Sequence, residues 1–135
     1  MSKQMGEVCK NVARNLQLKP WPESEGIWNF PDVKNELMMS VEFSESANTG
    51  VWMWSCQAVV ADLPAQSSSL IRELLELNGG LAWCYYTVYN SPTGSSLNLV
   101  YTFATPEGNS VFAEQLLTIV LANMRNSTLE TRRRF

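Results

Sequence analysis

The side chains most able to do chemistry in this chain are a pair of glutamates and three cysteines, and their spacing limits what they can do. Glu73 and Glu76 lie three residues apart on a predicted helix, within reach of each other as a general acid and base, but this is also the usual spacing on a solvated helix face. Cys9, Cys56 and Cys84 have no paired spacing, and free cysteines in predicted helices and strands are usually small buried hydrophobic residues. We therefore expect neither a disulfide framework nor a zinc site.

The chain contains no histidine, which removes the commonest general base, the usual activator of serine and cysteine nucleophiles, and the most frequent metal ligand. The only two aspartates, Asp32 and Asp62, lie near prolines in turn contexts. Gly79 and Gly80 follow a predicted helix, whereas a phosphate-binding loop precedes one. We expect a protein with no catalytic residues, no bound cofactor and no metal, and so not an enzyme.

The composition describes an acidic globular protein. The 135 residues are 45% hydrophobic and 17% charged, with a net charge of −3, which predicts one domain over residues 1–135 and disfavours nucleic-acid binding. The sequence has no signal-peptide pattern and no apolar run near the ~20 residues that span a membrane. We expect a cytoplasmic protein, with Arg132, Arg133 and Arg134 in a solvated tail.

The elements that must position these side chains follow from hydrophobic periodicity. Apolar residues at helical spacing predict helices over 3–18, Leu70–Leu77 and 111–124, and alternation predicts strands over 27–30, 36–45, 51–61, 81–89 and 97–103. The order α-β-β-β-α-β-β-α predicts an α+β fold, with a twisted antiparallel sheet packed against helices. The strand over 27–30 is expected at an edge, the strand over 51–61 at the centre, and Trp21 in a loop.

Two faces are assigned to the core from the same periodicity. In the strand over 36–45, one side of the alternation is wholly apolar and is placed under the helices: Leu37, Met39, Val41 and Phe43. In the last helix the expected core stripe is Phe112, Leu116, Ile119 and Val120, broadened by Leu117, Leu121 and Met124. A stripe this wide often contacts more than one surface.

The segment Leu70–Asn78 is a leucine-rich amphipathic helix that ends in Asn78-Gly79-Gly80. Together with the element order, the size and the acidity, this helix resembles the class I type III secretion chaperones, the Tir-chaperone-like family. The resemblance implies a bacterial, cytoplasmic homodimer that serves virulence. Such a protein would bind the N-terminal region of a secreted effector in a partly extended, secretion-competent state.

The resemblance also implies two sets of site residues. A dimer interface built from the middle helix and the following strand would use Leu70, Leu74, Leu77 and Trp83. A client surface on the sheet, with strand addition at an exposed edge, would use Ile27, Trp28, Phe30, Met38, Trp52 and Trp54. The alternative for several of these large side chains is that they fill the core.

Two other functions remain open on the sequence alone. One is a chaperone-like adaptor or regulator outside secretion, with the same architecture. The other is a pocket protein, in which the helix-covered sheet encloses a small ligand.

Overall fold

A computed structural model of the chain describes residues 2–45, 48–63, 72, 73, 76, 84–92 and 94–133. Within these ranges lie two bounded helices and six strands: α1 (Ser2–Leu16), β1 (Trp21–Ser24), β2 (Ile27–Asp32), β3 (Leu37–Glu45), β4 (Val51–Leu63), β5 (Tyr85–Ser91), β6 (Gly94–Pro106) and α2 (Ser110–Arg132). This is the predicted α+β fold. Arg72, Glu73 and Glu76 are helical and exposed, at the place of the predicted middle helix.

The strands form one antiparallel sheet in the order β1-β2-β3-β4-β6-β5. β4 pairs with β3 on one side and β6 on the other, which confirms the central position predicted from its apolar faces. The register between β4 and β6 shifts between Val59 and Ala61. The pairing of Ser91 with Gly94 closes the β5–β6 hairpin, at the predicted Ser91–Gly94 turn.

β1 corrects two expectations about the N-terminal part of the sheet. Trp21 was expected in a loop and β2 at the edge, but Trp21 pairs with Asn29 and makes β1 the edge strand. β2 runs through Pro31 because the last described β1 pair joins Trp21 and Asn29, so Pro31 has only β3 beside it. A proline is tolerated where no second strand needs its missing N–H.

The C-terminal end of α1 and the N-terminal end of α2 are both stabilised by hydrogen bonds to backbone groups that the helix itself leaves unpaired. α1 ends two residues before the predicted Leu18 because Gln17 takes a left-handed conformation, with φ 58°, and the Leu18 N–H bonds the Ala13 carbonyl at 2.8 Å. α2 begins after Asn109, whose side-chain Oδ1 accepts a hydrogen bond from the Phe112 N–H at 3.0 Å.

The buried stripe of α2 is rotated from the predicted one. Phe112 and Ile119 were expected in the core, but they are 43% and 57% exposed. On its α1-facing side α2 makes two polar contacts: Asn11 of α1 donates to Glu114 at 2.7 Å, and Asn15 donates to Thr118 at 3.4 Å. The buried residues of α2 are Ala113, Leu117, Val120, Leu121, Met124, Thr128 and Thr131.

Arg132 is not part of a solvated tail, contrary to expectation. It is in the last turn of α2, and its guanidinium donates to the carbonyls of Val60 at 2.6 Å, Asn35 at 3.1 Å and Val59 at 3.2 Å. Two of these carbonyls belong to the irregular part of β4. The hydrogen bonds of Arg132 therefore connect the end of α2 to the sheet and to the β2–β3 turn.

Candidate functional site

The sheet has one face covered by α1 and α2. On β3 this face is formed by Leu37, Met39, Val41 and Phe43, which are buried as predicted. The pairings Met39–Ala58 and Phe43–Trp54 carry the same face onto β4, and Ala58–Leu99 carries it onto β6. This face is the core of the described structure.

Three residues proposed for the client surface lie in that core. Phe30, Trp52 and Trp54 are at most 2% exposed. The ring centroid of Phe43 lies 5.4 Å from that of Trp52 and 4.7 Å from that of Trp54, and Trp54 Nε1 donates to Thr105 Oγ1 at 2.9 Å. These side chains present no surface to a partner, so we no longer include them in the candidate site. They fill the core, which was the alternative expected for some of the large side chains.

The other three proposed client residues remain accessible in different degrees. Trp28 is half-buried on the helix-covered side, where a Cβ on Gly6 of α1 would lie 3.4 Å from its ring. Ile27 is half-buried and Met38 is 41% exposed. Ile27 pairs with Glu42 and Met38 with Pro31, so both side chains are on the opposite face of the sheet from the helices.

We call that opposite face the open face, formed by the positions that alternate with the helix-covered ones along each strand. Asn29 and Asn98 lie on this face but are buried. It carries most of the large exposed apolar side chains of the sheet, namely Trp21, Met38, Met53, Val59, Tyr85 and Tyr89. Scattered apolar residues are ordinary on a protein surface, whereas several on one sheet face are a candidate interaction surface. Here Met38 and Val59 each adjoin the Met39–Ala58 pair, and Met53 lies at the other end of β4, where it pairs with Ser44. Methionine, tyrosine and tryptophan are the residues that such surfaces favour.

One row of paired residues crosses the open face from edge to edge. It runs Trp21–Asn29–Ser40–Gln57–Val100–Tyr85, one residue from each strand. Aromatic rings therefore stand at both ends of the row. Between them lie a buried amide, Asn29, and the half-buried Ser40, Gln57 and Val100. Such a row offers apolar contact together with uncharged hydrogen-bonding groups.

The β4 residues that the sequence suggested for the client surface lie on the buried face of that strand. Alternation separated Trp52 and Trp54 from Met53 and Val59, but it did not say which set faces the helices. The signal that favoured the tryptophans was their size. A large apolar side chain also gains the most from burial, and Trp52 and Trp54 are accordingly buried in the core.

The cysteines have the properties of buried structural residues. Burial raises the pKa of Cys9 to about 12 and that of Cys84 to about 11. Burial, with a smaller contribution from nearby Cys9, also raises the pKa of Cys56. The thiols stay protonated at neutral pH, so none has the thiolate character of a nucleophile.

The described residues contain no group of three or more cysteine, aspartate or glutamate side chains placed to hold a metal ion. Neither α1 nor α2 combines the length and apolarity needed to cross a membrane. The proposed dimer residues Leu70, Leu74, Leu77 and Trp83 lie outside the described residues.

No protein-family model matches the sequence, and no curated protein sequence matches it. Solved structures do match the fold. The crystal structure of the ExsC–ExsE complex contains a chain with a TM-score of 0.71 and 12% identity, covering 98% of this chain and 94% of that one. YbjN from E. coli, whose structure is described as that of a proposed transcription regulator, gives a TM-score of 0.60 and 12% identity, covering 95% of this chain and 91% of that one.

These likenesses extend over nearly the whole chain, and at 12% identity they show the fold alone. ExsC is a type III secretion chaperone. The resemblance to that class of protein, inferred from the element order and the leucine-rich segment, is thus confirmed as a resemblance of fold.

Proposed function

We propose that this protein is a type III secretion chaperone that acts by binding and not by catalysis. It would hold the N-terminal region of a secreted effector in a partly extended state on the open face. The observation that carries the proposal is the group of exposed methionine, tyrosine and tryptophan side chains on a sheet face whose reverse is covered by both helices. The shared fold with ExsC supports the same assignment.

The exposed side chains of the open face would make different kinds of contact with a client. Met38 and Met53 are flexible and polarisable, and adapt to client side chains of different shape. Trp21, Tyr85 and Tyr89 supply large rigid contacts near the two edges of the sheet. Between them the half-buried Ser40 and Gln57 hydrogen-bond a client backbone that has no secondary structure of its own.

The client segment can gain further hydrogen bonds by strand addition at a sheet edge. β1 is a poor edge for this, because it has four residues, includes Pro22, and changes register between Pro22 and Ser24. β5 has seven residues without a charge or a proline. Strand addition is therefore assigned to the β5 side of the sheet.

A second candidate function is a regulator or adaptor outside secretion, which the likeness to YbjN favours. The two functions predict different partners. A secretion chaperone retains a secreted protein through that protein's N-terminal segment, whereas a regulator retains components of gene expression.

Affinity purification of the full chain from its native bacterium, with mass spectrometry of co-purifying proteins, tests the proposal. We expect a secreted protein whose capture is lost on deleting its N-terminal segment. Met53→Glu on the open face should abolish capture, and Ile119→Glu, on the exposed side of α2, should not. Recovery of transcription components in place of a secreted protein would overturn the proposal, and equal capture by both variants would overturn the open face as the site.

A further inference from the structure

Charge is distributed unevenly between the sheet and the rest of the molecule. None of the six strands contains a lysine or an arginine, whereas α1 carries three and α2 carries two. Exposed strands in monomeric proteins commonly carry lysine, which discourages association. This sheet has no such lysine, and its charged side chains are all acidic.

On β2–β6 the open face has two charged side chains, Glu42 and Asp62. Glu42 pairs with Ile27 on one side and Ser55 on the other, and Asp62 pairs with Ser96. Both carboxylates are exposed. The ion pair found among the described residues, between Arg125 and Asp32 at 3.9 Å, involves neither of them.

A partner that covers the open face must deal with these carboxylates. Taking an ionised carboxylate out of water without a compensating charge is unfavourable. A lysine or arginine on the partner offsets that loss with an ion pair, and another carboxylate adds repulsion. The open face therefore selects among apolar segments by charge as well as by shape.

We propose that the open face takes an extended apolar segment with a lysine or arginine opposite Glu42, and that Glu42 is the residue that determines this specificity. The inference rests on the proposed function, since it describes the client of the same surface. Asp62 favours a second cation. Ser55, the partner of Glu42, lies seven positions before Asp62 on β4, so the two cations would be roughly 20 Å apart.

Three synthetic peptides of about 15 residues, alternating leucine and serine, test this selection at the length that spans both carboxylates. They carry two lysines, two glutamines or two glutamates at the same pair of positions. Fluorescence anisotropy with the full chain should give the lysine peptide an affinity about tenfold above that of the glutamate peptide. The difference should shrink as salt is added.

The variants identify the residue responsible. Glu42→Gln should remove most of the preference for lysine, and Glu42→Lys should reverse it in favour of the glutamate peptide. Glu45→Gln is the matched control, because Glu45 is exposed on the same strand but pairs with Trp52, on the other face. Circular dichroism establishes that all three variants are folded.

The outcomes separate this inference from the proposed function. Equal binding of the three peptides, lost in Met53→Glu, would overturn charge selection and leave the open face as a docking surface. Binding of none of them would overturn both. A preference for lysine that Glu45→Gln removes and Glu42→Gln keeps would overturn the role of Glu42.

Discussion

Trp52 and Trp54 are neighbours on one face of β4 that differ in one hydrogen bond. The Trp54 indole donates to Thr105 Oγ1, whereas buried Trp52 Nε1 has no hydrogen-bond partner among the described residues. Replacement by phenylalanine removes similar volume at both positions, but only Trp54→Phe leaves the Thr105 hydroxyl without its donor.

We expect Trp54→Phe to lower the free energy of unfolding by about 1 kcal/mol more than Trp52→Phe. Urea denaturation followed by circular dichroism measures the difference. Equal losses would mean that the indole–hydroxyl bond contributes nothing net. Neither substitution should weaken client capture beyond its effect on stability, since both side chains are in the core.

The buried thiols predict how stability depends on pH. Burial raises the pKa of Cys9 from 9.0 to about 12, so the folded chain keeps this proton after the unfolded chain has lost it. The stabilisation is complete below pH 9 and is lost as the pH rises towards the folded pKa.

The urea midpoint of the wild type should therefore fall between about pH 9 and pH 11. Cys9→Ala should make this fall smaller without removing it, because burial also raises the pKa of Cys56 and of Cys84. The substitution also lowers stability at pH 7 through lost packing. A midpoint that falls equally in both proteins would assign the effect to other groups.

The sequence predicted the individual residues of the candidate site less well than it predicted the elements that carry them. Alternation identified the two sets of side chains on β3 and β4 correctly, and the β3 core was predicted in full. The face of β4 was misassigned, because both of its faces carry apolar side chains and local pattern does not distinguish them.

At the scale of elements, the last turn of α2 carries a contact that helix propensity does not reveal. The Arg132 guanidinium bonds three main-chain carbonyls, on β4 and in the β2–β3 turn. A charged donor satisfies carbonyl groups at a sheet irregularity, where regular strand pairing is interrupted.

Arg132→Met keeps the aliphatic stem and removes these bonds, so we expect the free energy of unfolding to fall by about 2 kcal/mol. Arg133→Met is the control, because Arg133 is exposed and follows directly in the chain. It should change stability by less than about 0.5 kcal/mol. Chemical denaturation of both variants checks the difference, and equal values would contradict the role of Arg132.

The order and type of the longer elements were predictable from periodicity, whereas the short strand β1, the phase of α2 and the edge position were not. The stripe of α2 depends on its polar contacts with α1, over 100 residues earlier in the chain. β1 was missed because Trp21-Pro22-Glu23-Ser24 has no alternation and a proline, both typical of a loop. These features are decided by tertiary contacts that a sequence window does not contain.

At the scale of the whole molecule, self-association remains a prediction. Leu74→Glu would place an unpaired charge in the proposed dimer interface, so we expect it to convert a dimer into monomers. Sedimentation velocity of the wild type and the variant measures the change, with circular dichroism to establish folding. Glu73→Gln, at an exposed helical position beside it, is the control and should leave the dimer intact. An unchanged dimer in folded Leu74→Glu would remove Leu74 from the interface.

The arrangement of α2 also has a consequence for synthesis of the protein. α2 follows all six strands in sequence, yet its side chains cover the sheet face that holds Trp52, Trp54 and Phe103. While the ribosome makes the chain, this aromatic face is complete before the helix that covers it exists. A polypeptide interrupted before Ser110 would expose it to other nascent chains, and aggregation of such fragments would follow from the order of translation alone.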